Sequence, residues 1–272
     1  LSNTTLRLGL GHETLAIRTE HPDLAAHLQH RYGPYAVDRP PTAELVLTGD
    51  HAYDPATAPL VAWRDGDGVW LGASGALTIR FDARQRRGSG RVTTDPDGLF
   101  SAVDNTLRGI GVRMLASAGL LLVHASGVVI DGRLMAFYGP SGVGKTTAAR
   151  LAAAAGLPVA GDDLLIIDPA RAEGGGSPFW GDGADLTPAV GWWPVHSLWR
   201  LEQAAVPART MLAGAAAAAE LMCQAPLPVS HVPEWLDGVV QLVGAVPHGR
   251  LALPRPTRWR DIQEVACGDQ LL

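Results

Sequence analysis

The residues best suited to chemistry lie in "GPSGVGKTTAAR" (residues 139–150). Of the 22 lysine and arginine residues in the chain, Lys145 is the single lysine. Gly139, Pro140, Ser141, Gly142, Val143, Gly144, Lys145 and Thr146 satisfy G-x-x-x-x-G-K-[ST], a phosphate-binding pattern, and Thr147 comes directly after it. Glycines let consecutive backbone N–H groups turn inward towards phosphate oxygens. A helix starting near Lys145 adds its positive N-terminal end. In this pattern the lysine reaches the outer phosphates, and the Thr146 hydroxyl can coordinate Mg²⁺. Alanine, glycine, arginine and proline are abundant, a bias that replaces exposed lysine by arginine at little cost. It cannot do so where a compact ammonium sits between phosphate oxygens, because a planar guanidinium has the wrong shape. The lone lysine therefore marks a position that resists substitution, and nucleoside triphosphate binding is the expectation.

Two further features flank this loop. "LPVAGDDLLIID" (Leu157–Asp168) sets adjacent carboxylates, Asp162 and Asp163, between short apolar runs. Beside a nucleotide, such a pair can divide the work, one acid on Mg²⁺ and one accepting a proton. A polar turn joining two strands is the plainer reading. Upstream, "VHASG" puts His124 in an apolar strand, where a histidine is either structural or catalytic.

These residues need elements to position them. Apolar runs on either side of Asp131-Gly132 read as a hairpin. Its second run, Leu134–Tyr138, leads into the loop, and Thr146–Ala155 is rich in helix formers and stopped by Gly156 and Pro158. Before this, the chain is β-rich: "TLRLGL" (Thr5–Leu10) alternates with period two, and "AELVLT", "PLVAWR", "GVWLGA" and "ALTIRFD" come after it. A helix is expected near Asp23–Tyr32, with Leu24, Leu28 and Tyr32 on one face. "DARQRRGSGR" (Asp82–Arg91) reads as an exposed hairpin or loop. Asp95–Gly119 has helical spacing through Leu99, Val103, Leu107, Ile110 and Met114. The expected division is a β-rich α+β domain over 1–95 and a second domain over 96–272, joined by a helix over 96–119. Thr210–Met222 reads as a small-residue helix and Val239–Pro247 as a late buried strand.

Bulk properties narrow the partners. With 272 residues, 47% hydrophobic and 18% charged, the chain is long enough for one or two cores. A net charge of −5 without a basic block gives no support for nucleic acid, and no apolar run is long enough to span a membrane. The N-terminal "LSNTTLRLGL" lacks the pattern of a signal peptide and an initiator Met, so trimming there is expected. Cys223 and Cys267 have no metal spacing, and a cytoplasmic setting is expected.

"VHASGVVIDG", "GPSGVGKTTAA" and "AGDDLLII", in that order across Leu121–Asp168, resemble the catalytic core of the HPr kinase/phosphorylase family. The resemblance implies an α/β fold of the phosphoenolpyruvate carboxykinase-like type with a mixed sheet. It further implies ATP and Mg²⁺, with His124 near the nucleotide, Asp163 as the base that deprotonates an acceptor hydroxyl, and Asp162 beside it, which leaves Asp162 as the acid of the pair expected on the metal. The acidic, arginine- and glycine-containing signature of the bifunctional enzymes is absent after the acid pair, which leaves phosphorylase activity and the family's homo-oligomer in doubt. In its place, Ser177–Gln203 with Pro194–Glu202 in the pattern P-x-x-x-x-x-R-L-E resembles HPr-kinase-related proteins of peptide maturation, such as lasso-peptide kinases. The acceptor is then a serine or threonine on a peptide or small protein. Trp192 and Trp193, with Trp180 and Trp199, fit either an acceptor surface in a mobile segment or core packing. Arg200 and Arg209 are candidates for the transferred phosphate or for structural ion pairs. A small-molecule kinase, for free serine for example, a nucleotidyl transferase and a nucleotide-gated binding module remain alternatives.

Overall fold

The computed structural model describes residues 4–52, 61–64, 69–93, 98–181, 185–225, 232–255 and 257–267. Residues 59, 60, 68 and 95–97 of the expected strands and helix, and 182–184 of the Trp-rich segment, lie outside them. The described residues form a mixed α/β structure with two mixed sheets and six α-helices. It divides into two compact units, Leu1–Leu115 and Ala116–Leu272.

The first unit contains β1 (Thr4–Leu10), β2 (Glu13–Thr19), α1 (Pro22–Tyr32), β3 (Ala43–Thr48), β4 (Val61–Arg64), β5 (Val69–Ser74), β6 (Leu77–Asp82), β7 (Arg87–Val92) and α2 (Leu99–Ser117). Its sheet runs β1-β2-β3-β7-β6-β5-β4, with β2/β3 and β3/β7 parallel. The segment Asp82–Arg91 is a hairpin, but its second half is a strand in the sheet interior rather than an exposed loop. Glycines hide this from an apolar pattern. A Cβ at Gly88 would lie 2.7 Å from the Phe81 ring, and one at Gly90 would lie 2.9 Å from the Thr78 carbonyl, so neighbours fill the space instead. Most of the long helix α2 falls with this unit, whose last residue, Leu115, lies in the helix's final turn. Asp104 of α2 accepts from the Tyr32 hydroxyl at 2.6 Å and pairs with Arg31 at 2.9 Å, and Trp70 of β5 packs over Gly109.

The second unit holds β8 (Leu121–Ile130), β9 (Arg133–Tyr138), α3 (Lys145–Ala154), β10 (Val159–Gly161), β11 (Leu164–Asp168), β12 (Glu173–Gly176) and β13 (Trp193–Gln203). After these come β14 (Ala208–Leu212), α4 (Gly214–Met222), α5 (Val232–Ala245), β15 (His248–Leu253) and α6 (Trp259–Cys267). β8 and β9 make the expected hairpin: Ile130 pairs with Arg133, and Asp131 and Gly132 take φ values of 49° and 71°. Two successive left-handed residues match the twist of a two-residue turn. β8 then serves several partners, β11 along its first half and β10 and β9 along its second. On its other side β9 runs parallel to β13, and β13 parallel to β15. The glycine loop leaves the carboxyl end of β9, the edge where open α/β sheets bind ligands.

Each face of this sheet has its own cover. Val123, Ala125, Tyr138, Leu198, Trp235 and Leu242 belong to one buried cluster with α5. On α3, Ala148, Ala149 and Ala152 are buried, which lets that helix pack closely on β8 and β9. Two expectations fail here. Val239–Pro247 is not a strand: residues up to Ala245 belong to α5, whose buried residues Trp235, Gly238, Val239 and Leu242 recur at helical spacing. The short apolar run carries no period of its own, and the strand begins at His248. Thr210–Leu212 likewise ends β14, and the helix starts only at Gly214.

The two faces of α5 give a direct test. Val239 is fully buried, whereas Val240 is 62% exposed. Val239→Asp should cost about 3 kcal/mol or more by burying an unpaired charge, and Val240→Asp should stay within about 0.5 kcal/mol. Urea unfolding of both variants checks this; equal losses would restore the buried strand.

Candidate active site

The loop after Tyr138 turns through left-handed backbone at Gly139, Gly142 and Gly144, with φ of 140°, 76° and 121°. A side chain at any of these would be strained, so the pattern's glycines are conformational requirements. Gly144 is the N-cap of α3, and the loop therefore ends on a helix N-terminus. Lys145 opens the helix and is only 7% exposed. Its Nζ turns back to donate to the carbonyls of Gly139 at 2.8 Å and Pro140 at 3.3 Å. Burial pushes the ammonium pKa down, and the Asp163 carboxylate pulls it back up.

The acid pair comes next to this loop through sheet register. His124 on β8 lies opposite Leu164, the residue after the pair. Its Nε2 is 3.0 Å from Asp163 Oδ1. Asp162 is 2% exposed, and its Oδ1 accepts from the Gly181 N–H at 3.1 Å. Gly181 lies over both acids: a Cβ there would be 3.2 Å from the Asp163 Cβ and 3.6 Å from Asp162 Oδ2.

Together these groups line one cleft of about 360 Å³, with His124, Lys145, Thr146, Asp162 and Asp163 among its walls and Ser141, Gly142, Gly144 and Thr147 on the loop side. Its polar side chains include hard oxygen donors, the Thr146 hydroxyl and two carboxylates, in the same cleft as the buried Lys145. That donor chemistry fits Mg²⁺ carried by phosphate oxygens and water rather than a thiolate or imidazole metal. Among the described residues, no group of three or more His, Cys, Asp and Glu forms a metal cage by itself.

The other expected substrate residues go elsewhere. Arg200 pairs with Glu220 at 3.3 Å and Glu202 at 3.9 Å, in a cluster completed by Arg250. Arg209 donates to the Ala266 carbonyl at 3.2 Å, beside a cavity of about 740 Å³ that also takes in Asp131 and Arg133 at the far end of β9. Trp193 begins β13 and packs against the core cluster, and Trp192 is half-buried. Trp180 and Trp199 are buried. Residues 193–203 thus form an 11-residue strand inside the sheet, not part of an irregular segment. Neither Trp192 nor Trp193 lines the cleft.

Three residues of the site lack a sequence signal. Gly181 and Arg150 line the cleft, the latter donating to Asp185 at 3.0 Å. Arg255 reaches the loop from 113 residues away and donates to the Gly142 carbonyl at 2.6 Å. Its local context, "LPRPTRWR", announces no partner. No protein-family model matches the chain, and no curated protein matches it.

Tyr138, just before the loop, is tied to His248 of β15, whose Nε2 is 2.5 Å from the phenol oxygen. Burial pushes the His248 pKa down to about 4, against the pull of Glu220. The folded state thus resists a proton that the unfolded chain accepts, so stability from this group is complete above the ordinary histidine range and falls as pH drops towards 4. By linkage the loss between pH 7 and pH 5 is about 2 kcal/mol. Chemical denaturation at both values should show this loss in the native chain and a flatter response in His248→Gln.

Proposed function

We propose that the chain is an ATP- and Mg²⁺-dependent kinase of the HPr kinase-like type that phosphorylates a serine or threonine hydroxyl on a peptide or small protein. The observation that supports this reading most is the convergence of three separate sequence features in one cleft. His124 and Asp163 sit 3.0 Å apart across from the buried Lys145, at the mouth of a glycine loop that ends on a helix. A binding module needs the loop and the lysine; it has no use for a carboxylate held by an imidazole beside them.

Position supports the following roles. The loop N–H groups and the α3 N-terminus hold the phosphate chain, and Lys145 exchanges its loop carbonyls for outer phosphate oxygens. Thr146 and Asp162 would hold Mg²⁺, which neutralises phosphate charge when bound. His124 fixes one oxygen of Asp163. The other oxygen of Asp163 accepts the proton of the acceptor hydroxyl as its oxygen bonds to the γ-phosphorus and the bond to the β-phosphate oxygen breaks.

Two substitutions test the assignment. Asp163→Asn should lower transfer by about 10²-fold or more while Mg²⁺-nucleotide affinity stays within a few-fold, because the amide keeps volume and loses basicity. Asp162→Asn should instead weaken metal-dependent binding. The opposite pattern would exchange the two roles, and a product carrying a nucleotidyl rather than a phosphoryl mass would replace the reaction. Lys145→Arg should lose about tenfold or more of nucleotide-dependent activity with the fold intact, since charge is kept and shape is not. Turnover at the native rate would show that the ammonium is not needed.

A further inference from the structure

We infer that the nucleoside half of the triphosphate, base and ribose, lies in a second cleft on the opposite flank of the glycine loop, walled by α3, the end of β15 and α6, with Arg255 at its mouth. This deepens the kinase reading and rests on it.

The cleft measures about 560 Å³ and shares Gly144 and Thr147 with the acid-lined one, so the two adjoin at the start of α3. Their chemistry differs sharply. The first carries His124, Asp162, Asp163 and Lys145, groups for phosphate and metal. The second is walled mainly by apolar side chains, with Leu151 one turn beyond Thr147 on α3, Leu253 at the end of β15 and Pro254 after it, and Ile262 of α6. An extended triphosphate whose γ end lies at Asp163 must send its α end the other way along the loop. Beyond the α-phosphate come a ribose and a flat aromatic base, and an apolar slot with few polar groups suits them.

The polar residues of the slot are Thr147, Glu202, Gln203, Arg255 and Thr257, and the last two support the assignment. The Arg255 guanidinium lies at the loop, bonded to the Gly142 carbonyl, and a Cβ on Gly144 would be 3.8 Å from its Nη2. From there it can stack on a base or meet the α-phosphate, which a lysine would do less well. Thr257 also lines the slot, and its shielded hydroxyl oxygen has no hydrogen-bond partner among the described residues. Buried hydroxyls are normally paired, and a ribose hydroxyl or ring nitrogen would supply the partner.

The test compares Mg²⁺-ATP with Mg²⁺-tripolyphosphate, which has the phosphates and no nucleoside, by calorimetric titration of the full chain. Leu151→Trp fills the slot from a half-buried helix position, and Leu151→Ala widens it. Leu151→Trp should weaken ATP by about tenfold or more and leave tripolyphosphate within about twofold, and Leu151→Ala should weaken ATP alone by about threefold. If the Trp variant loses both ligands, the Ala variant decides. Equal effects on ATP and tripolyphosphate in Leu151→Ala, or none on either, would overturn the assignment of the base to this cleft. Failure of the native chain to bind either ligand would instead remove the phosphate-loop reading beneath it.

Discussion

A buried positive charge governs the second unit. Lys145 is almost wholly shielded from water, and an ammonium there is costly unless oxygen atoms replace its hydration. The chain supplies them from its own loop, through the carbonyls of Gly139 and Pro140, and through the field of Asp163. Carbonyls are neutral partners, and a phosphate is a far better one. On the proposed reading, the burial that depresses the lysine would also favour an anion in the cleft, because the same desolvation strengthens the attraction when an anion arrives.

The surrounding structure holds that charge in place. Left-handed backbone at three glycines folds the loop under the ammonium, and the hairpin turn at Asp131-Gly132 sets the register that aims β9 into it. β8 carries His124 on the strand next to β11, so the imidazole meets the acid pair without any long side-chain reach. The Arg200–Glu220–Arg250 cluster and the Tyr138–His248 contact tie β9, β13, β15 and α4 together immediately below the loop. These groups lie beside the glycine loop and contribute rigidity to it.

The parts of this arrangement that depend on local rules are legible in the sequence. The Asp131-Gly132 turn needs two left-handed residues, α3 needs helix formers and a stop at Gly156, and the loop needs its glycines where they stand. Long-range placement is legible only where the residues have a chemical identity, as with His124 and Asp163. Arg255 and Gly181 are not, because an arginine between prolines looks the same whether or not a loop 113 residues away uses it, and a glycine in a polar stretch looks the same whether or not it lies over an acid pair. Val239–Ala245 passes for a strand because a short apolar run has no period, and only Trp235 and Gly238 upstream complete the helical face. The glycine strand β7 escapes for the opposite reason, since its buried positions are filled by Phe81 and Leu45 from neighbouring strands.

Because the chain has one lysine, its side-chain nitrogen can be observed alone. Labelling lysine with ¹⁵N and following the Nζ resonance through a pH titration, with and without Mg²⁺-ATP, measures the governing charge directly. The account predicts an ammonium pKa below the ordinary lysine value in the free protein, raised when the nucleotide binds, with a clear shift of the resonance at fixed pH. An ordinary pKa that saturating nucleotide leaves unmoved would contradict it.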